Sequence, residues 1–374
     1  MRLRYLQQLI DPGNQAAFPE ILPEWMLEVK AFSTFWHSEK KYWTASTSGS
    51  TGKENSIALS REQILFSARA SLNYFRLDPK IHGMALAIPA KSAGGFMLMA
   101  RAFTGNFDLL LLPPEKSSAH FTGFPPDKKW FLPLLPNQFF DFLHRSDAGF
   151  LSRSFCGILL GGGPMEWSLK ERIIRLECPV YHSYGMTETA SHIALRRIHP
   201  EEDEPGFAPL PGISVRLSSE GCLEVYSEQL TEGQWLSTRD RAEILENSNF
   251  VILGRTDFII NSGGLKIQPE TEKQKLAALL PESCRAFDLL GIPDERLGEK
   301  LVLVSYGTLN EIQLIRKKIH AISDGEQRKR LPKAIYSLPG GPPLLPGGKT
   351  DFITLRKKIQ EIIPFSPDEP DSAP

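Results

Sequence analysis

No run of apolar residues in this chain is long enough to span a bilayer, so the sequence contains no transmembrane segment. The opening stretch MRLRYLQQLIDPGNQ has no long apolar segment before a small-residue cleavage site, so no signal peptide is expected. Cysteine is scarce. Cys156, Cys178, Cys222 and Cys284 lie far apart and form no CxxC pair, which leaves neither a thiol-redox nor a zinc spacing and points to reduced thiols in a cytoplasmic protein. Neither sign of charge dominates. Lys plus Arg number 43 and Asp plus Glu 44, a net charge of -1, so whole-chain charge gives no sign of a nucleic-acid partner. A Walker A loop is also missing. Thr47-Ser48-Gly49-Ser50-Thr51-Gly52-Lys53 carries Thr47 where that motif needs Gly, and Glu54 where it needs Ser or Thr.

What is present is an ordinary globular composition, 41% hydrophobic and 23% charged, over 374 residues, enough for two or three domains. Residues 1 to 45 are rich in aromatics, with helical spacing near Trp25 to Val29, and read as packing surface. The glycines and small hydroxyls of Thr47 to Lys53 leave backbone N–H groups open to an anion. An amphipathic helix follows from Ser60 to Tyr74, with Leu65, Ala68 and Leu72 on one side. Met84 to Ile88 reads as a buried strand, Lys91-Ser92-Ala93-Gly94-Gly95 as a turn, and Phe96 to Phe103 as a helix. Leu109 to Leu112 is a further apolar run, and residues 113 to 136 read as a Pro-rich surface loop.

A strand from Ser154 ends in Gly161-Gly162-Gly163-Pro164, a frequent ligand edge of open α/β sheets. In VYHSYGMTETASHI, Val180 and Tyr181 end a strand and Tyr184-Gly185 turns the chain. Thr187 and Glu188 follow: a Thr hydroxyl can donate to a phosphate oxygen, and a carboxylate oxygen suits Mg²⁺. Short strands at Val215–Leu217, Leu223–Tyr226 and Trp235–Leu236 suggest a small β subdomain that ends at Ser237-Thr238-Arg239-Asp240, where an Asp taken alone is a common turn residue. The stretch GRTDFIINSGGLKIQPE, Gly254 to Glu270, reads as a hairpin with a Gly-Gly turn leading to a helix that opens at Pro269. Beyond it, strand-like runs at Phe287–Gly291 and Leu301–Val304 alternate with helices, the grammar of a small α/β domain. The loop Pro339 to Lys349 is too rich in Pro and Gly for helix or sheet.

Taken together and in this order, these motifs resemble the adenylate-forming superfamily of acyl-CoA synthetases, adenylation domains and luciferases. The resemblance runs from about Thr44 to Arg356. It implies an α/β fold: a large N-terminal domain of layered sheets and helices, 1–256, and a small mobile C-terminal α/β cap, 257–362, before a disordered tail, 363–374. It implies catalytic roles for Lys349, Thr187 and Glu188, with Glu188 on the metal. Nucleotide binding falls to Thr47, Ser48, Gly49, Ser50, Thr51, Gly52, Lys53, Gly162, Gly163, Pro164, Ser183, Tyr184, Gly185, Asp240 and Arg255. Asp257 is the implied hinge, and Gly263, Gly264 and Lys266 belong to a coenzyme A or thioester loop. Lys91, Ser92, Gly94, Gly95, Ser191 and His192 border an acyl pocket.

Within the family the motifs are most similar to o-succinylbenzoate–CoA ligases of menaquinone synthesis. ATP, Mg²⁺ and coenzyme A are the implied cofactors and co-substrates, a small carboxylate is the partner, and no nucleic acid is expected. The chain departs from the family pattern twice. Asn55 stands where the phosphate loop usually ends in Lys, and only about four dozen residues precede that loop. Two other readings therefore stay open: an adenylating enzyme that loads a carrier protein, and an adenylate-binding relic without turnover.

Overall fold

A computed structural model of the chain describes residues 2–5, 8–14, 17–48, 54–114, 124–146, 148–163, 173, 175–198, 206–345 and 350–362. The chain forms two compact units, Met1–Thr238 with Ala242–Val251, and Arg239–Arg241 with Ile252–Pro374. No helix among the described residues is long and apolar enough to cross a membrane.

The first unit begins with β1 (Leu3–Tyr5) and β2 (Gln8–Ile10), then α1 (Glu24–Trp36), β3 (Tyr42–Ser48) and β4 (Glu54–Ser60). It continues through α2 (Arg61–Phe75), β5 (His82–Leu86), α3 (Ala93–Gly105), β6 (Leu109–Leu111), β7 (Lys129–Leu134), α4 (Pro136–Arg145), α5 (Ala148–Ser154) and β8 (Phe155–Leu160). The chain then runs through β9 (Val180–Met186), β10 (Ser191–Ile198) and β11 (Ala208–Pro209). Among the described residues, nine strands form one sheet in the order β11-β10-β9-β8-β7-β5-β6-β1-β2. Its centre is parallel: β5 with β6 and β7, β7 with β8, and β8 with β9.

Helices cover both faces of that centre, which explains apolar runs without alternation. Trp130, Leu132 and Leu134 of β7 join a core with Phe139 and Phe142 of α4 and Leu151 of α5. Phe131, on the other face, lies 4.7 Å from Phe75 of α2. Helix α2 starts where a Ser-x-x-Gln box permits: Ser60 Oγ accepts from the Gln63 N–H and Gln63 Oε1 accepts from the Ser60 N–H.

Strand β7 corrects the reading of residues 113 to 136 as a surface loop. Lys129–Leu134 is a buried central strand despite Pro133. Its pairing with β5 covers His82–Lys129 to Met84–Phe131 and goes no further, while its pairing with β8 continues to Leu134. Pro133 therefore sits where only one ladder remains, which is how a residue without an N–H is accommodated. A second correction concerns the turn expected at 91–95. Helix α3 already begins at Ala93, so Gly94 and Gly95 form its first turn and Ser92 is its N-cap.

Strands β12 (Ser214–Leu217), β13 (Cys222–Tyr226), β14 (Trp235–Ile244) and β15 (Phe250–Arg255) form a four-stranded sheet in that order. The division between the units crosses β14 and β15. Asp240 accordingly lies inside a ten-residue strand and not in a turn.

In the second unit, β16 (Ile260–Ser262) and β17 (Leu265–Ile267) make a hairpin about Gly263 and Gly264. Both glycines have positive φ, 57° and 83°, the left-handed backbone that a two-residue hairpin turn favours. Helix α6 (Pro269–Leu279) starts with Pro at its first position. Then come β18 (Phe287–Asp294), β19 (Gly298–Ser305), α7 (Leu309–His320), α8 (Gly325–Lys329), β20 (Ala334–Ser337) and α9 (Phe352–Ile362). The β18–β19 hairpin is buried on both faces. One face packs Leu289, Leu301 and Leu303 with Leu276 of α6 and Ile315 of α7. The other packs Leu290, Ile292, Val302 and Val304 with Leu355 and Ile359 of α9.

Candidate functional site

The parallel strands of the first unit share a carboxyl edge, the edge at which open α/β sheets take ligands. From β5 the chain leaves this edge into Ser92 and α3, from β8 into Gly161–Gly163, and β9 overruns it to Met186.

The glycine turn after β8 is pinned from β9. Ser183 Oγ donates to the Leu160 carbonyl at 2.9 Å, and the His182 ring Nε2 lies 3.1 Å from the Gly163 carbonyl oxygen. Since a carbonyl can only accept, Nε2 carries the ring proton. Burial, helped by the charge of Arg196, pushes His182 down to about 4, although the Gly163 contact acts the other way. His182 is therefore neutral at physiological pH and serves as a brace.

Strand β9 corrects another expectation. Tyr184-Gly185 is not a turn: β9 runs through both, and the reversal comes one step later, in a single 3-10 turn at Thr187–Thr189. Gly185 pairs with His192 on the returning strand β10, and a Cβ at this position would overlap the Ser191 carbonyl oxygen. The glycine is required by close approach of two backbones. Immediately after the turn, Ala190 and Ser191 both have positive φ, 47° and 84°. Two successive left-handed non-glycine residues cost on the order of 1–3 kcal/mol each and are held by their surroundings. Thr189 Oγ1 bonds the carbonyls of Met186 and Ser191, and Ser67 Oγ donates to the Ala190 carbonyl.

This strained hairpin presents Thr187 half-buried and Glu188 exposed. Glu188 makes no hydrogen bond or ion pair among the described residues. The antiparallel pair β3–β4 packs against the same turn, Thr187–Thr189. Gly49 to Lys53, Pro164 and Lys349 lie outside the described residues. Tyr184 packs on Phe250 and Phe207 with ring centroids 5.3 and 5.8 Å away.

The four polar residues read as acyl-pocket donors are placed unequally. Ser92 Oγ is occupied, accepting from the Gly95 N–H and donating to the Pro89 carbonyl. Lys91 is exposed and 3.8 Å from Glu28. Ser191 belongs to the strained turn. Only His192 is buried and aimed inward, and its partner is a residue that sequence reasoning missed. Arg101, in the third turn of α3, is 2% exposed, and its Nη2 lies 3.2 Å from His192 Nδ1. Arg101 Nε and His192 Nε2 have no partner, and no carboxylate pairs with Arg101 among the described residues. Burial pushes the guanidinium down to about 9, so it remains a cation at neutral pH. Burial and the Arg101 charge hold His192 well below its ordinary value, hence neutral. A basic residue in an apolar helix, ARAF within GGFMLMARAF, was the available signal.

In the second unit, Asp240, Arg255 and Asp257 form one network. Arg255 Nη1 donates to Asp240 Oδ1 at 3.1 Å and Nη2 to Asp257 Oδ2 at 2.8 Å, while Arg239 Nη1 donates to Asp257 Oδ1 at 2.8 Å. Burial alone would raise the Asp257 carboxyl, but the two guanidinium groups outweigh it and hold it below its ordinary value. Asp257 sits in a 3-10 turn, Thr256–Phe258, directly after β15. Lys266, on β17, pairs with Asn261 across the Gly263–Gly264 hairpin. The four cysteines are free thiols, three of them buried. Burial raises Cys156 and Cys178 to about 12, which makes both poor nucleophiles.

Residues 43–228 match the model of the AMP-binding enzyme family. A 2-succinylbenzoate–CoA ligase of Bacillus mycoides is 26% identical over 298 residues, 72% of this chain and 61% of that protein. This chain thus spans about three fifths of the length of such curated relatives. An acyl-CoA synthetase (AMP-forming)/AMP-acid ligase II-like protein from Dyadobacter fermentans has a crystal structure similar to this one. Its TM-score is 0.57 at 27% identity, over 92% of this chain and 97% of that one. The o-succinylbenzoate CoA synthetase of Bacillus subtilis, solved with its acyl-adenylate intermediate, has a TM-score of 0.66 at 20% identity, over 84% of this chain and 68% of that one. The fold, the hairpin at the carboxyl edge and these similarities agree: the chain is similar to the AMP-binding enzymes of the adenylate-forming superfamily.

Proposed function

We propose that the protein is an AMP-forming acyl-CoA ligase whose substrate is an aromatic dicarboxylate, o-succinylbenzoate, on the route to menaquinone. The observation that carries the dicarboxylate reading is Arg101, a fully buried cation with no carboxylate partner among the described residues. An unpaired interior charge costs several kcal/mol even after relaxation. A substrate with a second carboxylate, remote from the one that reacts, supplies the missing anion.

In the first step a carboxylate oxygen attacks the α-phosphorus of ATP, the bond to the β-phosphate oxygen breaks, and acyl-adenylate and pyrophosphate form. The coenzyme A thiol then attacks the acyl carbon, giving the thioester and AMP. Both reactants of the first step are anions, so cations and donors are needed. Thr187 offers a hydroxyl donor to phosphate. Glu188, an exposed carboxylate beside the Thr187 hydroxyl, is the residue that would hold Mg²⁺. When bound, Mg²⁺ supplies neutralisation of phosphate charge. Lys349 is assigned the ammonium at the reacting oxygens, and Lys349→Ala is expected to abolish adenylation while sparing thioester formation from supplied acyl-adenylate. Asp257 is assigned the hinge. Asp257→Pro should slow thioester formation more than adenylation, and equal loss in both steps would argue against it.

The deciding experiment is a panel of carboxylic acids with ATP and coenzyme A, read by mass spectrometry, with pyrophosphate release measured with and without coenzyme A. Thioester formation that is best with o-succinylbenzoate supports the reading. A better fatty acid removes the menaquinone assignment and leaves the ligase. Adenylate that never becomes thioester points to carrier-protein loading, and no pyrophosphate at all points to a relic weakened at Asn55.

A further inference from the structure

The three residues after Lys349 are tied down from three sides within the second unit. Thr350 forms an isolated antiparallel bridge with Leu344, and the Asp351 N–H donates to the Pro343 carbonyl at 2.8 Å. Asp351 then caps α9: its carboxylate accepts from the Ile353 and Thr354 N–H groups at 3.1 and 3.0 Å and from Thr354 Oγ1 at 2.7 Å. Phe352, the first residue of α9, has its ring 5.1 Å from that of Phe258 in the Thr256–Phe258 turn.

The third tie is made by a charge. Asp288 on β18 is buried, and its Oδ1 accepts from Lys273 Nζ at 3.0 Å. Its Oδ2 accepts from Tyr306 Oη at 2.8 Å and from Thr350 Oγ1 at 3.3 Å. Lys273 neutralises the carboxylate and Tyr306 occupies its second oxygen, so the carboxylate is satisfied before Thr350 is counted. Apolar packing also holds the elements around it, through Leu276 of α6 and Leu355 of α9. A buried ion pair adds little net stability, because desolvation offsets its attraction, and its best use is to fix register. The register fixed here is that of residue 350, one Cα–Cα step of about 3.8 Å from Lys349.

Resting on the assignment of Lys349 above, we propose that Asp288 is a positioning residue for adenylation, acting through Thr350 on the chain next to Lys349. The ammonium has to meet carboxylate and phosphate oxygens together, and a misplacement of about 1 Å at such a point costs on the order of a hundredfold in rate. Thioester formation does not call on that ammonium and is indifferent to the anchor.

The test uses the full-length protein with Thr350→Val, Thr350→Ser and Asp288→Asn. It reads two half-reactions: pyrophosphate release from ATP and the acid that the panel above favours, and thioester formation from coenzyme A and supplied acyl-adenylate. Val keeps the branched shape without the donor, Ser keeps the donor, and Asn leaves one acceptor oxygen, which Lys273 takes. Thr350→Val and Asp288→Asn should each lower kcat for adenylation about tenfold to a hundredfold, with KM for acid and ATP and the rate of thioester formation all within about threefold of wild type. Thr350→Ser should recover most of the loss, and the double variant Asp288→Asn, Thr350→Val should be no worse than the poorer single one, because both remove the same bond. Equal losses in the two half-reactions, a Thr350→Ser as impaired as Thr350→Val, or unchanged adenylation would each overturn the proposal. Lys349→Ala, measured alongside, separates it from the reading beneath it. Normal adenylation by that variant, or no pyrophosphate from the wild type with any acid, removes the role of Lys349 and the anchor together. An inactive Lys349→Ala beside silent Thr350→Val and Asp288→Asn removes the anchor alone.

Discussion

Each unit of the molecule buries a charge, and the two are treated in opposite ways. In the second unit, Asp288 on β18 is 6% exposed and receives Lys273 Nζ at 3.0 Å, Tyr306 Oη at 2.8 Å and Thr350 Oγ1 at 3.3 Å. In the first, Arg101 is 2% exposed and has one neutral ring nitrogen at 3.2 Å. Burial of charge therefore does not by itself mark a site. Asp288 is a clamp: it ties α6, the residue after β19 and the residue after Lys349 to one strand, and every interaction is supplied from within the unit. Arg101 has no counter-ion among the described residues, and we propose that the bound substrate supplies one. A satisfied buried charge belongs to architecture, and an unsatisfied one to recognition.

The largest expected effect comes from a charge that is not buried at all. Glu188→Gln should lower the adenylation rate by about two orders of magnitude, the scale of one lost electrostatic stabiliser, with no change in thermal stability. Near-normal pyrophosphate release from this variant would sink the assignment. Next is Arg101→Met, which should cut kcat/KM for the dicarboxylate by roughly tenfold to a hundredfold while leaving the unfolding midpoint equal or higher, since it removes an uncompensated interior charge. A marked loss of stability with unchanged substrate preference would make Arg101 architectural and erase the contrast with Asp288.

Asp288→Asn should do the reverse. It leaves the Lys273 ammonium against a neutral amide, so we expect about 1–3 kcal/mol of destabilisation in denaturant unfolding and no change in the preference among acids. A silent substitution would show that the clamp contributes nothing.

The smallest effect is a pH dependence. His182 is held at about 4 in the fold, against an ordinary 6.5. Between these values the unfolded chain binds a proton that the folded one refuses, so stability is fully present above about 6.5 and declines as pH falls toward 4. Near pH 5.5 the loss attributable to this ring should be about 1 kcal/mol, and His182→Gln should flatten the unfolding profile there. An unaltered profile would mean that burial of the ring does not hold it neutral in the fold.

Elements whose signals are local were legible from the residues. The Gly263–Gly264 turn, the Pro269 helix start and the helix after Ser60 need only backbone preference and neighbouring side chains, and they stand where the pattern put them. The same holds for the apolar strands of the second unit, because a hairpin buried on both faces imposes hydrophobicity at every position. Three elements were illegible for a common reason. Pro133 argues against a central strand until the end of the β5 ladder is known. Gly185 looks like a turn until its close approach to Ser191 is seen. Asp240 looks like a turn aspartate until Arg255 is found beside it.

What the sequence determined by itself was the inventory: an α/β chain of adenylate-forming type, with a hydroxyl-glycine stretch, a Thr187-Glu188 pair and a Gly263-Gly264 hairpin stretch in that order. Those are properties of consecutive residues, and backbone chemistry acts over a few positions. Only the tertiary structure decided which polar groups are satisfied. Lys91, Ser92, Ser191 and His192 were equivalent as letters, and folding left Lys91 exposed, used Ser92 as a helix cap and set Ser191 in a strained turn. It placed His192 against Arg101, 91 residues away, where the cost of an unpaired buried cation depends on every group packed around it and on none that adjoin it in the chain.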